Sequence, residues 1–304
     1  MSYKWGSTIF KIIAKPHYFG HLSMLLFSVL VAGSFSLGSI IANLVSPGAL
    51  TAVRFLIAFC IIASVAALRE GIPRTAFKST WRYFVLGGVF ITYFVLMFEA
   101  LKTAPPVSTS AVFTLTPLFS AIAGYFLLKQ FINTRIALAL FIGAIGAIWT
   151  IFKADFSSLI NFDIGTGELI FFFACIFHAI YTPLVRKLNR GETPLVFTAG
   201  TLLAGTLLLF LFFWRDIASV SWVDLPWVFW VCLFYLAIFA SAVTNLLIHH
   251  STMILPSSKV MAYTYLIPSW VVLWELILGN PPPTPLVLIG LLLIIVSLLL
   301  LLRE

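Results

Sequence analysis

The chain has 304 residues, of which 62% are hydrophobic and only 9% charged, and its mean hydropathy is +1.11. A soluble protein carries roughly a quarter of its residues as charges, so this composition excludes one and specifies a polytopic membrane protein in a lipid bilayer. The net charge of +8 does not point to nucleic acid, because the cations sit in short loops between apolar runs, where they set topology.

The first 18 residues, beginning "MSYKWGSTIFKIIAKPH", mix Lys4, Lys11 and Lys15 with Trp5, Ile9, Phe10, Ile12 and Ile13. No small-residue cleavage site precedes the first long apolar run. Residues 1–18 therefore read as a retained amphipathic segment on the cytoplasmic membrane surface. A helical span needs about 20 apolar residues. Ten segments qualify, at 19–45, 49–68, 81–101, 106–128, 134–152, 165–186, 194–214, 226–249, 256–278 and 285–302. Breakers separate them, among them "SPG" at 46–48, "APP" at 104–106 and "GNPPPTP" at 279–285. The expected fold is an all-α polytopic membrane protein with ten transmembrane helices.

Orientation follows from Lys and Arg. With the N-terminus inside, thirteen fall on the cytoplasmic side, in the N-terminal segment, the even-numbered loops and at Arg303, while Lys102, Lys153 and Arg215 fall outside. That bias places both termini in the cytoplasm, in the inner membrane.

A repeat is visible within the spans. "APPVSTSAVFTLTPLF" (104–119) matches "ILPSSKVMAYTYLIPSW" (254–270), pairing Pro106 with Pro256, Ser108 with Ser258, Thr114 with Thr264 and "LTP" with "LIP". Residues 19–152 and 165–304 are then two five-helix repeats joined by a loop at 153–164. An odd number of spans inverts the second copy, the construction of many secondary transporters.

In the order of these motifs along ten spans the chain resembles the drug/metabolite transporter superfamily, specifically its EamA-type members. The fourth and ninth spans carry "LTPLFSAIAGYFLL" and "LIPSWVVLWELIL", and "SPGALTAVRFLIA" places Arg54 on the family's arginine. "FEALKTAPPVST" looks like the family's joint between the third and fourth helices. Where the family often has Trp-Gly in the first helix, this chain has Ala32-Gly33. Lys129-Gln130 and Gly279-Asn280 stand where it often has Gly-Glu. The resemblance implies movement of a small-molecule substrate, a polar metabolite and often an exported amino acid, by alternating access.

Enzyme motifs are absent: there is no HExxH and no phosphate loop, so no catalytic residue, cofactor or metal ligand is assigned. Cys60, Cys175 and Cys232 lie in apolar runs and read as buried thiols. His249-His250 face different sides of a helix with no carboxylate following, which favours helix-end packing over a metal. Arg54 reads as a snorkeller or a brace to a neighbouring carbonyl. Glu99 and Lys102 are spaced to pair on one face. "GAIGA" at 143–147 offers small residues for close helix packing or a dimer face.

His178 differs from these, because it lies mid-span with Tyr181 three residues on and Pro183 beyond. A ring nitrogen in hydrocarbon needs a polar partner, so His178 faces protein, a cavity or a proton path. Asn245 in the eighth span raises the same question. Lys259 and Glu275 are 16 residues apart, about 24 Å along a helix, and cannot pair. Glu275 reads as interfacial. Lys259 either snorkels or, with Tyr263 and Trp270 continuing its face, receives a substrate carboxylate.

These features predict a secondary transporter with a cavity lined by helices 1, 3, 4, 6, 8 and 9. Lys259, Tyr263, Trp270, His178, Tyr181 and Asn245 are its expected substrate-binding residues. The leading substrate is an amino acid or related zwitterion moved outward, with protons as a candidate coupling ion. The first span has no mid-membrane Glu of the kind cationic-drug exporters use. The alternatives are another metabolite class, such as a nucleotide-linked or sulfonium metabolite, or a membrane-embedded enzyme or non-transporting bundle.

Overall fold

The computed structural model describes residues 16–131, 133–152, 155 and 164–302, and within them every long element is helical. The helices are α1 (Pro16–Ile41), α2 (Pro47–Arg69), α3 (Trp81–Ala100), α4 (Pro106–Leu128), α5 (Thr134–Ile151), α6 (Thr166–Leu188), α7 (Pro194–Ser219), α8 (Trp227–Ile254), α9 (Ser257–Ile277) and α10 (Pro285–Leu302). Among the described residues nine are long and apolar enough to cross a membrane, and α10 is a further apolar helix. The expected surface segment 1–18 and loop 153–164 lie almost wholly outside the described residues.

Local chemistry sets the boundaries. Ser46 caps α2 by accepting from the Ala49 amide, and Pro47, whose missing N–H costs nothing in a first turn, begins the helix. α1 stops at Ile41, short of the expected 45. α7 and α8 run further than expected, to Ser219 and Ile254. Solvation is inverted relative to a soluble protein. Phe141, Leu211, Phe212 and Leu292 are exposed, while Ser28, Thr51, Thr109 and Thr198 are buried.

Packing follows an exchange of the two halves. α5 lies along α10 and α2 along α7, while α3 on α6 is matched by α8 on α1, and α4 on α6 by α9 on α1. The seam between α5 and α10 uses the small residues of "GAIGA": a Cβ on Gly146 would meet the Gly290 carbonyl at 2.7 Å. That stretch packs inside the bundle.

The two copies of the repeated motif break at the same place. α4 consists of Pro106–Phe113 and Thr116–Leu128, and α9 of Ser257–Ala262 and Ile267–Ile277 joined by a 3₁₀ turn at Tyr263–Leu266. Pro117 and Pro268 each remove an amide donor and crowd the carbonyl four residues earlier. Threonine hydroxyls take up nearby carbonyls: Thr114 donates to Ala111 O, Thr116 to Phe113 O and Thr264 to Met261 O. A third irregularity is the π turn at Ile238–Val243 in α8. By contrast, Pro183 sits within a continuous α6.

Candidate functional site

A chain of buried polar side chains joins α6, α7 and α8. Thr198 Oγ1 lies 2.7 Å from His249 Nδ1, His249 Nε2 lies 2.9 Å from the Tyr181 hydroxyl, and Tyr181 Oη donates to Asn245 Oδ1 at 3.1 Å. Asn245 and His249 are one turn apart on α8, so both reach the same hydroxyl. All four residues are at most 2% exposed. Tyr181 has a single proton. When it donates to Asn245, His249 Nε2–H donates to the phenol and Nδ1 accepts from Thr198. A half-turn of the Asn245 amide, whose Nδ2 has no partner in the first arrangement, reverses every bond. The chain therefore has two polarities, the property a proton path needs.

His178 stands one turn from Tyr181 on α6, inside an aromatic shell. Its ring centroid lies 4.5 Å from Tyr93 and 4.9 Å from Phe113, and Phe90 stacks on Tyr181 at 4.4 Å. Phe113 ends the first segment of α4, so the helix break borders the histidine directly. His178 Nδ1 is buried without a hydrogen-bond partner. An unsatisfied nitrogen at this depth costs about 1–3 kcal/mol, which packing alone gives no reason to keep.

Arg54 adjoins the same shell. It is fully buried, its guanidinium carbon 4.0 Å from the Phe94 ring centre. Nε donates to Leu236 O at 3.1 Å and to Ser241 Oγ at 2.5 Å, and Nη2 donates to Ala240 O at 2.7 Å. These acceptors border or belong to the π turn, so Arg54 braces α8 where its regular ladder fails. Of the two readings of Arg54 the carbonyl brace holds, and Nη1 remains without a partner.

Two other expected site residues, Tyr263 and Trp270, form a separate line along α1. Tyr263 Oη is 2.9 Å from His21 Nδ1, and Trp270 Nε1 donates to Ser28 Oγ at 3.2 Å. Lys259 lies half-buried one turn before Tyr263, in the first segment of α9, which packs chiefly against the second segment of α4. The structure thus brings Tyr181 and Asn245 together, sets His178 against them through Phe90, and places Lys259, Tyr263 and Trp270 apart. Glu275 accepts from Asn280 Nδ2 at 2.7 Å, and Glu99 pairs with Lys102 at 2.8 Å. Among the described residues no group of three metal-ligating side chains occurs.

Three residues depart from what the sequence predicts. His249 was set aside as helix-end packing, although its spacing of four from Asn245 already put both on one face. Arg82, one of the thirteen cytoplasmic cations, is 1% exposed and bound to Glu192 at 2.5 Å. Cys60 is exposed on the bundle surface, unlike Cys175 and Cys232.

The model of the EamA-like transporter family matches twice, over residues 18–152 and 165–303. "Uncharacterized transporter YyaM" of Bacillus subtilis is 26% identical over 263 residues, covering 86% of each chain. "Uncharacterized transporter sll1164" of Synechocystis is 34% identical over 122 residues, 39% of this chain and 34% of that protein. A protein crystal structure superposes with a TM-score of 0.71 at 20% identity, covering 91% of this chain and 94% of that one, a likeness of fold.

Proposed function

Because the chain belongs to the EamA-like transporter family, we propose that it carries a small polar metabolite across the membrane by alternating access. The substrate class is an amino acid or related zwitterion, the direction is export, and protons are the coupling ion. The chain sits in the inner membrane with both termini in the cytoplasm, an orientation supported by its thirteen-to-three cation bias. The halves that exchange access are residues 19–152 and 165–304, a division supported by the double family match.

The observation that carries this reading is the reversible polar chain of Thr198, His249, Tyr181 and Asn245, with His178 beside it. Buried ionisable groups inside a membrane bundle mark substrate and proton paths. In this structure the four polar side chains are buried. Separation of α3 from α6 would expose His178 and Tyr181 to a substrate. Lys259, with Tyr263 and Trp270, forms the cytoplasmic entry, where a cation meets the carboxylate of the incoming zwitterion.

The test has two steps. The purified protein is screened by thermal shift against amino acids and related metabolites, since a ligand of the folded state raises its apparent stability. Hits are then assayed for accumulation in reconstituted vesicles with and without a pH gradient. Accumulation that follows the gradient supports the reading, and hits confined to uncharged or cationic compounds overturn the substrate class.

A further inference from the structure

Two cavities meet where the connection between α2 and α3 passes the start of α7. One, of about 320 Å³, is apolar: Phe59 and Ala63 of α2, Phe77 of the connection, Tyr83 of α3, and Leu203 and Leu207 of α7 line it. The other, of about 400 Å³, is lined by Glu70, Lys78, Arg82, Arg190 and Glu192. Val196 borders both. Tyr83 joins them chemically, its ring on the apolar side and 5.4 Å from the Arg82 guanidinium carbon.

The charges of the polar cavity are not equivalent. Arg82 and Glu192 neutralise each other, and Glu70 accepts from the Thr193 hydroxyl. Lys78 and Arg190 are exposed at the rim, where Arg190 Nη1 donates to Ser79 Oγ at 3.1 Å and neither forms a salt bridge among the described residues. The result is a hydrocarbon slot beneath two cations, on the face that the charge bias assigns to the cytoplasm. A soluble metabolite would gain nothing from the slot, and a lipid without net charge would leave uncompensated the excess of the two rim cations over Glu70. Basic pockets between membrane helices on this side bind anionic headgroups.

We propose that these joined cavities bind one anionic phospholipid of the cytoplasmic leaflet. An acyl chain fills the apolar cavity, and the headgroup phosphate sits between Lys78 and Arg190. The lipid thereby clamps the α2–α3 connection to α7 and to the loop that Arg82 and Glu192 hold.

The test places the protein in nanodiscs of phosphatidylcholine alone or with a minor fraction of phosphatidylglycerol. Thermal unfolding and lipid retained in native mass spectrometry are the readouts. The expected result is a rise of several degrees with phosphatidylglycerol and one retained molecule of it per chain. Lys78→Gln with Arg190→Gln should abolish both, as should Ala63→Trp, which fills the slot. Should Ala63→Trp fail to fold, Leu207→Trp at the exposed rim of the same slot takes its place. Lys129→Gln with Arg135→Gln, an equal loss of charge elsewhere on the same face, should preserve both. The proposal is overturned if this control pair removes the effect equally, which would indicate diffuse attraction. It is also overturned if soluble glycerol phosphate reproduces the rise in phosphatidylcholine discs, or if phosphatidylglycerol produces none.

Discussion

The phenol oxygen of Tyr181 on α6 lies 2.9 Å from Nε2 of His249 and 3.1 Å from Oδ1 of Asn245, so one hydroxyl fastens two turns of α8 to α6. Tyr181→Phe keeps the ring that stacks on Phe90 and removes only this oxygen. Each buried polar atom left without a partner costs about 1–3 kcal/mol. The variant should fold with a lowered unfolding temperature and lose substrate transport. Thr198→Val, which removes one end of the chain, should have the smaller effect on stability.

His178→Phe should behave in the opposite way toward stability. The imidazole keeps an unpartnered Nδ1 among Tyr93, Phe113 and Phe90, so an apolar ring suits the pocket at least as well. Thermal unfolding should show equal or raised stability, while vesicle transport falls sharply. Unchanged transport would make His178 a packing residue.

The contrast between these residues shows how far sequence alone reaches. The spans, their cation bias and the "LTP"/"LIP" breaks depend on local composition and on proline, and are legible without coordinates. So is the Glu99–Lys102 pair, because helical spacing decides it. Tyr181 and Asn245 were found because polar groups in hydrocarbon are conspicuous. Their contact, and the separation of Lys259, Tyr263 and Trp270 from it, depend on which helices are neighbours, and no spacing within one helix encodes that. The π turn of α8 was invisible for a related reason: its brace, Arg54, is supplied by α2.

Arg54→Met should be the most destabilising of the single changes considered. It strips donors from Leu236 O, Ala240 O and Ser241 Oγ at once. Hydrogen bonds to a charged group contribute about 1.5–3 kcal/mol each, so the loss should reach roughly 3 kcal/mol or more. Arg54→Lys should not rescue it, because an ammonium lacks the planar fork that reaches several acceptors. Denaturation of the purified variants in detergent checks both.

Glu192 supplies a pH dependence. Burial pushes its carboxyl up, but hydrogen bonds from Arg82 and from the Arg190 amide outweigh this and hold it below the ordinary 4.5. A carboxylate with a depressed folded-state pKa stabilises fully above its unfolded value and loses that contribution as pH falls through the folded one. The unfolding temperature should therefore decline below about pH 4.5 in the native protein, and this component of the decline should be absent in Glu192→Gln.

Lys259→Met should leave the unfolding temperature close to that of the native protein and weaken binding of carboxylate-bearing ligands. Titration of the metabolite found by the thermal-shift screen checks this, and an unchanged affinity would assign Lys259 to snorkelling at the interface.

Proton movement during transport tests the role of the α6–α7–α8 chain most directly. Vesicles loaded with a pH-sensitive dye, given the identified metabolite, should show substrate-dependent proton flux with the native protein. Tyr181→Phe should show none. Flux through Tyr181→Phe at the native rate, or native transport without any proton movement, would contradict the account.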